Sequence, residues 1–422
     1  MSAGPELPSR NLSVNKRSNR RIAVLGGGLQ GCCIALALAQ RGAAVHLYDR
    51  ESDLLTRTAI VNEGKVHLGY VYAGDTSLAT ARTMITGASA FASFMEKYVG
   101  ISPQRWERSG PFTYVVHRGS QRSSEDIAFH LQAVHDLVRE GFSGRERAYF
   151  GIDLRAPLRR WASADRHATF NSSQISDAFD TPEIAIDPVH LAGALRARIA
   201  ATPNIQLHLG RTVTIVENAG KQLCVASLGM EGQTRERYDH VVNALWDSRL
   251  AIDAGRDLRP LRPWLYRLKY GIRLRPPRGI SLPSVTIVLG PFGDLVTYSE
   301  GTVYLSWYPA CMLGSSNALT PPEWPLEPSA SLAAAMTRES LAAMSDFLPA
   351  LDGLDPETIS NARVRGGVIV AWGDTDIVDP ESELHQRHAI GVTSTGRYHS
   401  VDPGKLTMAP WFAMVVAGRI FG

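Results

Sequence analysis

Three glycines near the start of the chain have the spacing of a phosphate-binding turn. Gly26, Gly28 and Gly31 spell G-x-G-x-x-G, a pattern in which the glycines permit a sharp turn and let the backbone come close to a pyrophosphate. Asp49 lies further along, where this pattern places a carboxylate that accepts hydrogen bonds from a ribose hydroxyl. Because that carboxylate would repel a 2′-phosphate, these residues predict a dinucleotide site for an unphosphorylated ribose.

The sequence around these glycines supplies the elements that must position them. "RIAVL" is typical of a short apolar strand, "GGGLQG" of a tight turn, "CCIALALAQR" of a helix that ends at Gly42, and "AAVHLYD" of a second strand. In such a β-α-β unit the helix start directs unpaired N–H groups at the pyrophosphate. The cofactor-binding residues expected in this unit are Gly26, Gly28, Leu29, Gln30, Gly31, Asp49 and Arg50.

A second stretch with chemical potential follows the β-α-β unit. "NEGKVHLGYVYAG", residues 62–74, places one histidine, one lysine and two tyrosines among glycines. Histidine has an ordinary pKa suited to proton transfer near neutral pH, and glycines let a backbone pass close to a flat ring. The alternative interpretation is a surface loop in which His67 caps a neighbour.

The rest of the chain alternates between two kinds of pattern. "IDPVHLAGALRARIA" predicts a helix that begins at Asp187 and Pro188, and "YDHVVNALWDSRL" predicts a buried strand that runs into a turn. From about 260 to 310, alternating aromatic-rich segments predict an antiparallel sheet with solvent or ligand on one face. "VRGGVIVAWGDTDIVDP", residues 364–380, is expected to return the chain to the nucleotide-binding part. Two interleaved domains explain this order better than two domains in tandem.

Composition excludes several classes of protein. The chain has 422 residues, is 44% hydrophobic and 20% charged, and carries a net charge of +3, which is too small to indicate a nucleic-acid partner. The polar opening, 1–19, is predicted to be a disordered tail, with a mitochondrial-type presequence as the alternative. No apolar run reaches the length of a membrane span, and the four cysteines lack metal-site or disulfide spacing. We therefore expect a cytoplasmic protein without a metal site.

Three separated blocks together resemble the D-amino acid oxidase-like family of FAD-dependent oxidoreductases, which includes glycine and sarcosine oxidases and L-2-hydroxyglutarate oxidases. They are the N-terminal fingerprint that ends at Asp49, "IDPVHLAGAL" with "YDHVVNALW", and "GRYHSVDPGKLTMAP" at 396–410. "NEGKVHLGY" is similar to the family segment beside the flavin ring, in its L-2-hydroxyglutarate oxidase version.

The resemblance implies an α/β fold with an α+β substrate part. A Rossmann-like FAD-binding domain built from 20–85, 183–258 and 361–422 would be interleaved with an antiparallel-sheet substrate domain built from 86–182 and 259–360.

The resemblance also implies FAD as the cofactor and a reaction in which hydride leaves a C–N or C–OH bond for flavin N5. The substrate would be a small polar amine, amino acid or hydroxy acid, and the electron acceptor could be oxygen, a quinone or a protein. An NAD-dependent dehydrogenase and a non-catalytic flavoprotein are the alternatives. The C-terminal "YHSVDPGKLT" differs from the L-2-hydroxyglutarate oxidase form, and no clear carboxylate-binding arginine motif is present, so the substrate stays open.

The family's functional positions map onto this chain in the matching blocks. His67 and His399 are the candidate catalytic bases in these blocks. Outside the blocks, the alternation of "LKYGIRL" could direct Lys269 at the pocket to hold an anionic substrate, although it could equally be an exposed charge. Cys311 is expected in the core rather than as a covalent flavin attachment. The further cofactor-binding positions carried over are Asn62, Gly64, Val213, Asn243, Ala244, Trp246, Gly404, Lys405, Leu406 and Thr407.

Overall fold

The computed structural model describes residues 20–354, 359 and 361–422, so the predicted tail at 1–19 lies outside the described residues. The helices are α1 Leu29–Gln40, α2 Ala79–Phe94, α3 Ser124–Gly141, α4 Ser163–Thr169, α5 Pro188–Ala200, α6 Arg249–Ala254, α7 Tyr308–Cys311, α8 Ala330–Ser345 and α9 Ala409–Phe421. The strands are β1 Arg21–Leu25, β2 Ala44–Tyr48, β3 Thr113–His117, β4 Arg159–Arg160, β5 Ile175–Asp180, β6 Ile205–His208, β7 Thr212–Ala219, β8 Gln222–Gly229, β9 Gly232–Tyr238, β10 His240–Asn243, β11 Trp264–Leu274, β12 Val285–Ile287, β13 Gly293–Thr297, β14 Val303–Trp307, β15 Met312–Ser316, β16 Arg363–Trp372, β17 Gly391–Thr395 and β18 Tyr398–Asp402.

A six-stranded sheet in the order β17-β18-β10-β1-β2-β6 forms the nucleotide-binding part. Its strands pair in parallel except for β17, which is an antiparallel edge strand. The apolar helix α1 packs against α9 and is buried from Gln30 to Ala39, which explains its nearly continuous hydrophobic sequence. The helix stops just before Gly42, whose positive φ of 85° suits glycine at that position. The predicted α/β class with a Rossmann-like part is confirmed.

A nine-stranded, mostly antiparallel sheet packs against this part. Strands β3, β4 and β5 from the first predicted substrate segment join β11 to β15 from the second, through the parallel pair β3 and β12. Both segments therefore contribute to one sheet. The division of the chain into two interleaved domains accords with this pairing and remains a proposal.

The boundary predicted at 361 needs correction. Strand β16 pairs with β11 along ten residues, from Trp264 with Trp372 to Arg273 with Arg363, so it belongs to the antiparallel sheet. The chain rejoins the parallel sheet only at β17.

A small three-stranded sheet, β7-β8-β9, completes the fold. Over residues 20–354, 359 and 361–422, no helix combines the length and the apolar character needed to cross a bilayer.

Asp187 ties the two parts of the molecule together. Its Oδ1 accepts hydrogen bonds from the N–H groups of Val189 at 2.7 Å and His190 at 3.3 Å, which caps α5 as predicted. Its Oδ2 lies 2.6 Å from Nη2 of Arg273 on β11. One buried carboxylate thus joins a helix of the nucleotide-binding part to a strand of the antiparallel sheet.

We expect Asp187→Ala to lower the free energy of unfolding by about 2 kcal/mol, because it removes a helix cap and leaves Arg273 without its partner. Chemical denaturation measures the loss. Ser123→Ala is the matched control, since Ser123 caps α3 through Asp126 N but is exposed and has no partner on another element. An equal loss in the two variants would show that the pair with Arg273 contributes nothing.

Candidate active site

A cavity of about 260 Å³ lies between the two large sheets. Four parallel strands end at it: Gly26 follows β1, Asp49 follows β2, Ala244 follows β10 and Pro403 follows β18. Open α/β sheets bind ligands at this edge, outside the carboxyl ends of the strands. The predicted cofactor-binding residues that line the cavity are Gly26, Gly28, Leu29, Gln30, Asp49, Arg50, Asn62, Val213, Ala244, Trp246, Gly404, Lys405 and Leu406.

The fingerprint glycines have different tasks. Gly26 has a φ of +101°, and a Cβ there would press on the carbonyl of Ala244. A Cβ on Gly31 would collide with the carbonyl of Gly26, so Gly31 lets α1 pack on β1 and does not line the cavity, contrary to the prediction. A Cβ on Gly28 would meet no atom within 4 Å, since it would project into open space. Gly28 therefore leaves the room that a pyrophosphate at the start of α1 requires.

One end of the cavity suits the adenosine of a dinucleotide, and we call it the nucleotide end; Tyr48, Asp49, Arg50 and Val213 line it. Asp49 Oδ2 accepts from Gly27 N at 2.6 Å and Oδ1 from Glu51 N at 2.8 Å. Each carboxylate oxygen keeps a lone pair for a ribose hydroxyl. The open space beside Gly28 can hold the pyrophosphate of FAD, and Asp49 can bind its ribose. These residues therefore fit FAD.

The opposite end, which we call the ring end, is built on segment 62–74, in which residues 64–70 are buried. The residues that line the ring end are Asn62, Glu63, Lys65, His67, Ile369, Val370, Arg387 and Pro403 to Leu406. Gly64 does not line the cavity as predicted: with a φ of +70°, it passes so close to the carbonyl of Ile186 that a Cβ would collide with it. Asn62 Oδ1 accepts from Gly64 N at 2.8 Å and fixes this turn.

Thr407 also has a different position from the one predicted. It is fully buried and does not line the cavity. Its Oγ1 accepts from His67 N at 2.8 Å and donates to Lys65 O at 3.3 Å, so it fastens segment 62–74 to the start of the last helix. Lys405, two residues earlier, lines the cavity, and burial lowers the pKa of its ammonium to about 8 although Glu63 opposes the shift.

Two predicted site residues lie on strands of the parallel sheet, Asn243 on β10 and His399 on β18, and do not line the cavity. Asn243 donates from Nδ2 to Asp253 Oδ1 at 2.9 Å and to Tyr398 OH at 2.8 Å, as a buried support of the strand ends. His399 stacks on His240, with its Nε2 3.1 Å from His240 Nδ1 and its Nδ1 2.8 Å from Ser394 Oγ. Both ring nitrogens of His399 are thus occupied away from the cavity. The prediction of His399 as a base near the ring is corrected by this placement.

Lys269 and Cys311 also lie off the cavity. Lys269 is half-buried on β11, where its charge acts on the cavity carboxylate Glu63. Burial raises the pKa of Glu63, but the lysines at 405, 269 and 65 outweigh that effect and leave it below its ordinary value. Cys311 is fully buried beside Ser340, as expected of a core cysteine. Within the described ranges, no cluster of side chains could hold a metal ion.

His67 is the predicted catalytic residue that the structure does place in the cavity. Its ring is 4% exposed, with Nε2 3.8 Å from Glu63 Oε1 and Nδ1 3.4 Å from Glu183 Oε1. Burial lowers the pKa of His67 more than Glu183 raises it, so the ring is neutral at physiological pH. A neutral imidazole in this position can accept a proton.

No sequence motif predicted Arg387, which lines the same end of the cavity. It donates from Nε to Leu384 O at 2.7 Å and from Nη1 to Val370 O at 2.9 Å. In the part of the chain that the structure describes, Arg387 forms no salt bridge; the carboxylate that acts on its charge, Asp402, is paired with Arg249 instead. Burial and the nearby Arg267 lower the pKa of Arg387 to about 10, so it remains a cation at neutral pH. No motif surrounds it, because its position comes from the fold of the loop that leads to β17.

Comparison with known proteins identifies this arrangement. A family model described as FAD dependent oxidoreductase matches residues 21–418. The FAD-dependent monooxygenase FPY4 of Fusarium mangiferae is 25% identical over 295 residues, which are 69% of this chain and 65% of that protein. This chain therefore aligns with less than two thirds of that relative's length.

Solved structures share the fold over nearly the whole chain. Glycine oxidase from Geobacillus kaustophilus has a TM-score of 0.64 at 14% identity and covers 94% of each chain. Iminodiacetate oxidase from Chelativorans sp. BNC1 has a TM-score of 0.64 at 15% identity and covers 95% of each chain. L-proline dehydrogenase from P. horikoshii has a TM-score of 0.63 at 16% identity and covers 96% of this chain and 94% of its own.

We expect Gly28→Leu to fold but to bind little FAD, because its side chain would occupy the open space beside the start of α1 without striking any protein atom. Visible flavin absorbance relative to protein absorbance, and circular dichroism, measure the two properties. Gly193→Leu on the exposed face of α5, where a Cβ also meets no atom, is the control. Full FAD occupancy in Gly28→Leu would place the pyrophosphate elsewhere.

Proposed function

This chain belongs to the family of FAD dependent oxidoreductases, and from that premise we propose that it oxidises a C–N or C–OH bond in a small substrate that carries a carboxylate. The structural neighbours include a glycine oxidase, an iminodiacetate oxidase and an L-proline dehydrogenase. The names of these proteins refer to amino acids and a related amine. The proposed substrate class extends that chemistry to hydroxy acids.

The observation that carries the proposal is that the cation Arg387 and the neutral His67 line the same cavity. A buried guanidinium without a carboxylate partner is costly, and an anionic ligand would compensate its charge. The backbone carbonyls of Leu384 and Val370 hold Nε and Nη1, so Nη2 remains available to donate to a substrate carboxylate. A substrate anchored there would lie in the cavity that His67 also lines.

The residues of the ring end would have different roles in the reaction. When bound, FAD supplies the two-electron acceptor. Neutral His67 would take the proton from the substrate's hydroxyl or ammonium group through Nε2. Lys405 and the N–H groups at the start of α9 would add positive charge beside the ring. Burial of His67 strengthens the electrostatic effect of the charges around it.

An anaerobic screen tests the substrate class. Purified protein would be mixed with amino acids, N-alkyl amino acids and 2-hydroxy acids, and with the matched amides and esters, while loss of visible flavin absorbance is followed. We expect at least one carboxylate compound to reduce the flavin, and its neutral analogue to reduce it far more slowly or not at all. Reduction by neutral compounds only would contradict the proposal, and no reduction by any compound would favour a non-catalytic flavoprotein.

We expect His67→Ala to keep its FAD and to reduce it about 10²- to 10⁴-fold more slowly, because a positioned base is lost. In the parent protein only the neutral ring accepts a proton, so the reduction rate should rise with pH through a pKa below 6.5 and then level off. Stopped-flow reduction across pH measures both effects. His399→Ala is the control, and a His67→Ala variant as fast as the parent would remove the base from the proposal.

We expect Arg387→Met to raise KM for a carboxylate substrate about 10- to 100-fold, since it removes a charge-assisted hydrogen bond. Steady-state kinetics with the carboxylate substrate and with any slow neutral analogue measure the effect. The analogue should be oxidised equally well by parent and variant. An unchanged KM for the carboxylate would place the substrate anion elsewhere.

A further inference from the structure

A buried carboxylate lies directly behind His67, on the side away from the cavity. Glu183 follows β5, is 0% exposed and does not line the cavity. Its Oε1 lies 3.4 Å from Nδ1 of His67, a buried nitrogen that makes no hydrogen bond of regular geometry with any described residue. The carboxylate of Glu183 can therefore interact with His67 but cannot contact a ligand in the cavity.

Two further contacts fix the orientation of Glu183. Its Oε2 accepts a hydrogen bond from Leu68 N at 2.5 Å, and its Oε1 accepts one from the hydroxyl of Tyr114. Burial alone would raise the pKa of this carboxyl, but His67, Lys65 and Tyr114 outweigh it and hold the pKa below its ordinary value. Glu183 is therefore an ionised acceptor that cannot rotate away from the ring.

We propose that Glu183 is the positioning residue for His67. It accepts the Nδ1 proton, which leaves Nε2 unprotonated on the cavity side, and it stabilises the imidazolium that forms when Nε2 takes the substrate's proton. The transfer moves one proton from the substrate's N–H or O–H bond to Nε2, while the Nδ1–H bond stays intact. This inference rests on the role proposed above for His67.

The other groups around His67 cannot take this role. Glu63 approaches Nε2, at 3.8 Å, from the cavity side, and Lys405 adds a positive charge that opposes protonation of the ring. Tyr72 contributes only its ring, at a centroid distance of 5.5 Å. Thr407 is bonded to the backbone of His67 and leaves the ring unconstrained. Glu183 is thus the acceptor that the geometry assigns to Nδ1.

A purely structural role for Glu183, as the acceptor for Leu68 N–H, makes a different prediction. Glu183→Gln separates the two, because the amide oxygen can still accept from Leu68 N while the amide nitrogen presents donors to Nδ1. A donor facing Nδ1 favours the tautomer with the proton on Nε2, which is the wrong tautomer for a base. A structural role alone would leave the ring unchanged.

The test is nitrogen NMR of FAD-loaded protein labelled with ¹⁵N-histidine, with the His67 signals identified by their absence in His67→Ala. We expect the Nδ1–H tautomer in the parent and Nε2–H in Glu183→Gln. We also expect the pKa of His67 to fall by about one unit or more in the variant, since an anion near the ring is lost. Flavin reduction at neutral pH should slow about 10²- to 10⁴-fold.

Tyr114→Phe is the matched control, because it removes one hydrogen bond from the same carboxylate and leaves its charge. The control should keep the parent tautomer. An unchanged tautomer and pKa in a folded, FAD-loaded Glu183→Gln would overturn the proposal. If Glu183→Gln fails to fold, the His67 tautomer of the parent protein is sufficient as a test. An Nε2–H tautomer in the parent would also overturn the proposal.

The outcomes also separate this inference from the proposed function. If the tautomer and the pKa change as expected while His67→Ala reduces its flavin at the parent rate, Glu183 does position the ring and His67 is not the base. If the tautomer stays the same in Glu183→Gln while His67→Ala is slow, His67 is the base and is held without help from Glu183.

Discussion

The structure depends on burying a stretch of backbone that belongs to no helix or sheet. Residues 64–70 are buried, and a buried N–H or C=O group without a partner costs as much as a lost hydrogen bond. The partners come from distant parts of the chain: Ile184 and Ile186 pair with Val66 and Gly64, and Thr407 and Glu183 accept from His67 and Leu68. The ring end is therefore formed only when three segments meet.

The same contacts that satisfy this backbone also set its chemistry. Glu183 holds Leu68 N–H with one oxygen and faces His67 with the other. Lys65, whose carbonyl accepts from Thr407, reaches Asp294 and Thr286 on the antiparallel sheet with its ammonium. Charges of both signs thus stand at fixed positions around one cavity, and burial shifts the pKa values of His67 and Lys405 toward the neutral form.

Local patterns in the sequence predicted the local parts of this structure. The fingerprint turn, the end of α1 before Gly42 and the cap of α5 at Asp187 depend on a few neighbouring residues and are found as expected. Predictions of features that depend on residues distant in the sequence were wrong or were not made. The pairing of β16 with β11 is set by an edge about a hundred residues away in the chain, and alternation along β18 turned His399 to the far face. No local sequence pattern marks Arg387. Its significance is that it forms no salt bridge among the described residues, and only the folded structure shows this.

The interleaving of the chain has a consequence for how the protein is made. Proteins fold progressively as they leave the ribosome, N-terminal parts first. Here the fingerprint turn emerges early, but β18, Gly404 and Lys405, which close the cofactor cavity, and α9, which packs on α1, come from the far end of the sequence. Until α9 has been synthesised, the apolar face of α1 that packs against α9 lacks its native partner. The cavity that would hold FAD is therefore complete only after the C-terminal residues of the chain have been synthesised.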